Sequence, residues 1–484
     1  MNWRLEKKSS FPCLRALTVG EGGDPSSARG YWLLFGFAAL SFLLTLPVEY
    51  IGQESVYPLM SYEMWFYGKY LAPSMYGVYY WRPPLYNLMI VPVAQLMGWN
   101  HMLVAARLVA LTATISSALL LAWFVRRQFG DKTFAAFTAL IYLTLGDVLF
   151  YRGWLCDSEP VFGLFVLVSV VFVWLALAEN RYTYLAVAVL AVSAAFLSKV
   201  LTAYVFYVIA MIVVAYRRRN WAFLYSWRSL LLNGLAVAFP LFWYRMVPAG
   251  HFQSHGMIAD ITSRLVPVSG GNYLKDVLAY AMQTLLLPLP VAGVLLYAYI
   301  RRQELGKWRA HPVVVTVMII VLANYLPYLL SPQSDIRYVF PLLPFIGLTL
   351  AYLIFYGAPR VREWSLKCII AAIVLKFAFG LLGFPFFHQQ SRASFEPAAK
   401  DILRIVGNQH LYATNMSGSA LSIVSHIDIL IYPKAPLTWP PAQFNDGFVI
   451  SCRSDENIGT IFRKYSVGQD EVYLRCKGTA CPPH

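Results

Sequence analysis

PVFGLFVLVSVVFVWLALA, residues 160–178, carries no charge and is closed off by Glu159 and Glu179. A helix of this length, at 1.5 Å per residue, reaches about 30 Å, the thickness of a bilayer's hydrocarbon core. Runs of the same kind recur at 31–50, 101–125, 133–150, 183–197, 200–216, 229–247, 275–300, 312–330, 338–357 and 367–387, which predicts eleven spans. The whole chain agrees. Of its 484 residues 58% are hydrophobic and 13% charged, where a soluble protein has about 25% charged. An ordinary soluble enzyme, a disordered chain and a fibrous repeat are excluded.

The formal net charge is +15. The clusters Arg126-Arg127, Arg217-Arg218-Arg219, Arg301-Arg302 with Lys307 and Arg309, and Arg360 with Arg362 all lie in short polar gaps between apolar runs. That is the distribution of cytoplasmic loops, not of a nucleic-acid surface, so no nucleic-acid partner is expected. Residues 1–30 read as a cytoplasmic extension and Tyr31–Val48 as a retained first span. The stretch 182–216 is apolar except for Lys199, and one helix of that length would overrun the membrane. Two short spans with Lys199 at the outer tip are expected. Residues 85–98, with Pro92 inside, are short for a span and suit a helix lying at the interface.

The predicted outer side therefore holds a long first loop (51–100), a tight turn (151–159), a loop (248–274) and a turn (331–337). Beyond Phe387 the composition turns polar. Helix-like stretches at 397–406 and 417–426 and strand-like ones at 410–414, 427–432, 448–451 and 472–475 predict a small extracytoplasmic α/β domain over 388–484. The transmembrane domain is placed at 31–387, and the fold class is mainly α, a polytopic helix bundle of about eleven spans. One disulfide among Cys452, Cys476 and Cys481 is expected on that side.

Ionisable residues of both signs gather at the predicted outer edge: Glu49, Glu54, Glu63, Lys69, Arg82, Asp157, Glu159, Lys199, Arg245, Arg264, Asp335 and Arg337 among them. Such residues at span ends are costly unless paired or used. A carboxylate beside a cationic cradle suits an anionic lipid head group; anchoring and loop ion pairs are the simpler account of any single one. His251 and His255 are four apart but lack a third ligand, so a divalent metal is not supported. Tyr57, Tyr79, Tyr80 and Trp81 suit stacking on a sugar or simple interfacial anchoring. Lys376, deep in the last span, is expected to snorkel or to meet a buried acid.

Gln53-Glu54-Ser55-Val56-Tyr57, Trp81-Arg82-Pro83-Pro84-Leu85, Ala105-Ala106-Arg107-Leu108, Ser158-Glu159-Pro160, Leu197-Ser198-Lys199 and Arg337-Tyr338-Val339-Phe340-Pro341-Leu342-Leu343-Pro344 occur in this order. Together they resemble the membrane-embedded C-type glycosyltransferases, in particular the protein O-mannosyltransferase and lipid A aminoarabinose transferase group, over roughly residues 31–350. The resemblance implies an inverting enzyme that moves a sugar from a polyprenyl-phosphate donor to a lipid, glycan or protein acceptor at the extracytoplasmic face, as a multi-pass protein of a bacterial inner membrane. It implies a carboxylate base among Glu54, Asp157 and Glu159. Donor-phosphate cations would be Arg82, Lys199, Arg264 and Arg337, and substrate contacts Gln53, Tyr57, Trp81 and Tyr338. No nucleotide or other cofactor is implied. Two departures stand out: Gln53 replaces the family's acidic residue, and Trp81 stands where the family has Glu. A lipid-linked sugar flippase or secondary transporter is the alternative from another class, but it would show internal repeats and midplane charges. A non-catalytic relative is the third reading.

Overall fold

The computed structural model describes residues 25–80, 82–199, 201–247, 273–307, 309, 311–331, 335–383, 395–414, 417–467 and 470–481. The helices are α1 Pro25–Ser41, α2 Val56–Tyr67, α3 Leu85–Met97, α4 Met102–Phe129, α5 Lys132–Leu143, α6 Glu159–Glu179, α7 Tyr182–Ser198, α8 Thr202–Arg218, α9 Trp227–Met246, α10 Tyr273–Leu286, α11 Val291–Ile300, α12 Pro312–Leu330, α13 Leu343–Phe355, α14 Pro359–Ala378, α15 Phe395–Val406 and α16 Gly418–Ile431, besides the single turn Trp221–Tyr225. The strands are β1 Ser74–Met75, β2 Val78–Tyr79, β3 Leu411–Ala413, β4 Gly447–Ser451, β5 Thr460–Val467 and β6 Asp470–Lys477.

The chain is mostly helical. Among the described residues six stretches are long and apolar enough to cross a membrane: Ser27–Thr45, Trp99–Phe129, Glu159–Glu179, Pro312–Leu330, Ile336–Phe355 and Pro359–Gly383. A seventh is counted if α10 and α11 are one broken span, bent by 99°. The expected single span over 275–300 is thus two helices. Pro288 and Pro290 sit at the break, where proline removes a backbone donor and clashes with the preceding turn. The helices in the other expected spans are shorter (α5, α7, α8) or, in α9, continuous but with the apolar run broken by Arg228, Asn233 and Arg245.

α6 runs through the middle of the bundle and packs on α4, α7 and α8. The far ends of α4 and α6 are tied by Arg127 and Glu179, 2.5 Å apart. The stretch 182–216 breaks at Lys199, whose backbone (φ −148°, ψ −72°) leaves the helical region between α7 and α8. α5 starts on an Asp131 cap, whose Oδ1 accepts from the backbone of Thr133 and Phe134.

β3, β4, β6 and β5 form one sheet in that order. β3 is parallel to β4 and the other pairs are antiparallel. α16 extends through 427–431, which reads as a strand in the sequence. A short apolar run does not distinguish the two states, and here the Ser417 cap carries the helix through it. β5 is largely exposed, so no apolar alternation announced it. Cys476 pairs with Cys481, leaving Cys452 free.

Apolar packing forms two clusters. One lies within the bundle. The other joins the first loop and the start of α4 to α15, α16 and the sheet. The C-terminal segment is therefore seated directly on the first loop. Tyr50 Oη meets Ser425 Oγ at 2.6 Å, Ser422 Oγ meets Ser55 Oγ at 3.1 Å, and the Trp439 amide donates to the Tyr76 carbonyl. A Cβ on Gly418 would fall 2.4 Å from the Gly52 carbonyl oxygen, so glycine permits this approach.

Candidate active site

The turn 151–159 is the hub. Gly153 allows it to close, because a Cβ there would lie 2.2 Å from the Val148 carbonyl oxygen. Thr114 Oγ1 of α4 donates to the Gly153 carbonyl at 2.7 Å, and Arg152 pairs with Asp147 at 2.5 Å. The two sides of the turn meet two different sets of charges.

On one side lies Glu54. Its carboxylate accepts from Arg107 Nε at 2.9 Å and Nη2 at 2.5 Å, from the Ile51 amide at 2.9 Å and from the Cys156 amide at 2.6 Å. Arg107 also donates to the carbonyls of Thr45, Leu46, Val48 and Glu49. Both side chains are buried. A carboxylate with four donors on it is a strap between the first loop, α4 and the turn. Arg107 is quoted in the sequence motif but missing from the predicted site. Its burial in an apolar helix start was the available signal.

On the other side lies Glu159, fully buried in the first turn of α6, where the helix dipole favours an anion. Lys199 Nζ donates to its Oε1, and Arg337 Nε lies 3.9 Å from the same oxygen and 3.0 Å from Asp335 Oδ2. Lys199 is held over the rings of Tyr338 (5.1 Å) and Phe162 (5.7 Å). Tyr338 stacks on Tyr328 at 5.7 Å. Asp157 stands beside Glu159 and is half-buried. Burial, and then the neighbouring Glu159 carboxylate, pushes the Asp157 carboxyl well above the usual carboxylate range.

A hydrogen-bonded chain brings in the first loop. Arg82 Nη1 donates to Tyr57 Oη at 2.9 Å, and Tyr57 Oη donates to Ser158 Oγ at 2.9 Å. The Arg82 guanidinium lies over the Tyr57 and Tyr80 rings, 5.4 and 5.5 Å from their centres. Burial raises the Tyr57 phenol, which keeps it a neutral donor. Tyr57, Arg82, Asp157, Glu159, Lys199, Arg337 and Tyr338 thus converge, although they come from five separate stretches of chain. Gln53 is exposed beside Gly418 at the seam with the C-terminal segment. Trp81, Arg264, His251 and His255 lie outside the described residues. Among the described residues no three His, Cys, Asp or Glu side chains are placed to hold a metal ion.

Lys376 neither snorkels nor meets an acid among the described residues. Its Nζ is buried 4.4 Å from the centre of the Trp154 ring and 5.4 Å from that of Phe42. Arg107 covers the same Trp154 at 5.1 Å, so the tryptophan of the turn is packed between the Lys376 and Arg107 side chains.

The architecture matches, over 94% of this chain and all of the other, the crystal structure of ArnT from Cupriavidus metallidurans bound to undecaprenyl phosphate, with a TM-score of 0.68 and 15% identity. The fold is that of this ArnT structure. The apo form of ArnT gives 0.65. In sequence, the chain is 30% identical over 169 residues to an undecaprenyl phosphate-alpha-4-amino-4-deoxy-L-arabinose arabinosyl transferase of Pseudomonas fluorescens, covering 34% of this chain and 28% of that one. It is 26% identical over 219 residues to the enzyme of that name from Edwardsiella ictaluri, 44% of this chain and 39% of that one. These matches span less than half the length of the curated relatives. No protein-family model matches. The ArnT fold and these relatives bear out the resemblance carried by the motifs.

Proposed function

We propose that this chain is an integral membrane glycosyltransferase that takes a sugar from a polyprenyl-phosphate donor and places it on a lipid, glycan or protein acceptor. The observation that carries this is the Asp157–Glu159 carboxyl pair facing Lys199 and Arg337, with Arg82 linked through Tyr57 and Ser158. A phosphate leaving group needs cations where its charge grows, and an acceptor hydroxyl needs a base.

In this reading Asp157 is the base. It is the one of the three carboxyls that is partly open to solvent, and its raised pKa makes it, once ionised, a stronger proton acceptor than an ordinary carboxylate. Glu159 fixes Lys199, and Glu54 anchors the turn. The acceptor oxygen attacks the anomeric carbon, its proton passes to the Asp157 carboxylate, and the carbon–oxygen bond to phosphate breaks with inversion. Lys199, Arg337, Arg82 and Arg264 are assigned to the leaving phosphate, and Gln53, Tyr57, Trp81 and Tyr338 to substrate contacts.

The same reading takes up the finer architecture. The short helices α5, α7 and α8, together with α9, complete eleven spans, and residues 388–484 form an extracytoplasmic domain over the site. The N-terminus faces the cytoplasm of a bacterial cell bounded by this inner membrane. Supporting this, the Arg clusters at 126–127 and 217–219 end helices whose other ends carry the site or Lys199.

The test is transfer by purified protein in lipid nanodiscs from polyprenyl-phosphate-linked pentoses and hexoses. Wild type is expected to turn over at least one donor, and Asp157→Asn and Lys199→Ala to lose that turnover while remaining folded. Wild-type rates in both variants overturn the proposal.

A further inference from the structure

A hollow lies at the end of α2 away from the candidate active site. Tyr57 in its first turn belongs to the site. Trp65, eight residues on, is roughly 12 Å further along the axis at 1.5 Å per residue. There a cavity of about 390 Å³, open to the surface, is lined by Trp65, Gln95, Gly98, Trp99, Asn100 and Tyr432. The Trp65 and Trp99 rings are 5.1 Å apart and tilted by 39°, and Tyr432 lies 6.2 Å from Trp65. Tyr62 backs the group, 5.1 Å from Trp99 and 5.9 Å from Trp65. Trp99 is nearly buried, whereas Tyr432, Gln95 and Asn100 are exposed.

The lining decides the ligand class. Its size falls within the roughly 300–1,000 Å³ of small-molecule sites. None of the six residues is charged, so a phosphate or carboxylate finds no counter-ion. Three aromatic rings offer apolar faces, and two side-chain amides offer both donors and acceptors. A pyranose has the complementary build: an axial C–H face for a ring and equatorial hydroxyls that both give and accept hydrogen bonds. A bare hydrocarbon chain has no use for two amides.

We propose that this pocket is a neutral-pyranose subsite, and that it seats a sugar unit of the acceptor about 12 Å along α2 from Tyr57 of the candidate active site. The acceptor role rests on the glycosyltransferase reading; sugar binding does not. The subsite narrows the acceptor to a molecule that already carries sugar, a glycolipid or a glycan. It joins the first loop (Trp65, Gln95, Trp99) to the C-terminal segment (Tyr432), so the acceptor is gripped across their seam.

The experiment titrates the full chain in nanodiscs with methyl β-D-glucopyranoside, methyl α-D-mannopyranoside, cellobiose and N,N′-diacetylchitobiose, followed by saturation-transfer NMR and tryptophan fluorescence. At least one is expected to bind saturably. Tyr432→Ala and Gln95→Ala, both at exposed positions, should each weaken it about tenfold, whereas Asp157→Asn and added undecaprenyl phosphate leave it unchanged. Failure of all four probes, equal binding in both pocket variants, or displacement by undecaprenyl phosphate overturns the subsite. Saturable binding that both pocket variants weaken sustains it even if no donor is ever turned over, which separates its fate from that of the transferase reading.

Discussion

Asp157 and Glu159 are two residues apart and chemically alike, yet their surroundings divide them. Glu159 is fully buried and paired with Lys199, while Asp157 is half-open and pushed upward in pKa. A base works only when ionised, so transfer should rise with pH through that raised pKa. In Asp157→Asn the limb should vanish and kcat fall by roughly 10²–10⁴, with donor binding little changed; a surviving limb in the pH–rate profile would refute the assignment. Glu54 predicts the opposite phenotype. Arg107→Met strands its carboxylate in a buried place, at a cost of roughly 3–5 kcal/mol in thermal unfolding. The turnover of whatever protein remains folded should stay close to wild type. Loss of turnover without loss of stability would return Glu54 to the chemistry. The motifs singled out all three carboxyls but could not rank them. Rank depends on which donors surround each one, and the decisive donors (Arg107, the Cys156 amide, Lys199) lie 40 to 102 residues away in sequence.

Among the elements, the β1–β2 hairpin shows how a loop beside the site is kept in shape. Glu63 of α2 is fully buried and accepts from Ser74 Oγ at 2.8 Å, the Tyr76 amide at 2.5 Å and the Gly77 amide at 3.0 Å. Removing it in Glu63→Leu leaves buried donors unmet, at roughly 1–3 kcal/mol each, which differential scanning of the reconstituted protein would register. Burial raises this carboxyl to about 7 from an ordinary 4.5. The folded state therefore holds its proton more tightly than the unfolded one, and Glu63's titration favours the fold below 4.5 and loses that contribution as pH rises through 7. Wild type should lose thermal stability between pH 5 and 7.5 more steeply than Glu63→Gln. Equal slopes would exclude Glu63 as the titrating group. Most helices were legible from their apolar runs. The break at Pro288–Pro290 and the helical state of 427–431 were not, since run length alone registers neither a bend nor a cap.

For the molecule as a whole, α4 and α6 each have one end at the site and the other at the Arg127–Glu179 pair. If they cross a bilayer, these ends face opposite compartments. Gln53→Cys, exposed near the site, should react with an impermeant maleimide from the extracytoplasmic side. Arg181→Cys, exposed near Glu179, should react only after permeabilisation. Labelling of both from one side would refute the arrangement.

Composition and the spacing of apolar runs were enough to establish a helical membrane protein, because burying backbone in lipid leaves few alternatives and the run length must match the bilayer. The break at Lys199 followed from the same constraint. The short motifs carried a resemblance that the ArnT-like fold and the partial relatives bear out, and they held most of the residues that converge. Which carboxyl is strapped by four donors and which stays partly open to solvent was decided by three-dimensional packing. So was the seating of the C-terminal segment on the first loop, and the closing of an aromatic hollow between them. Each depends on contacts between distant stretches, and a linear pattern does not encode the distance between side chains that only folding brings together.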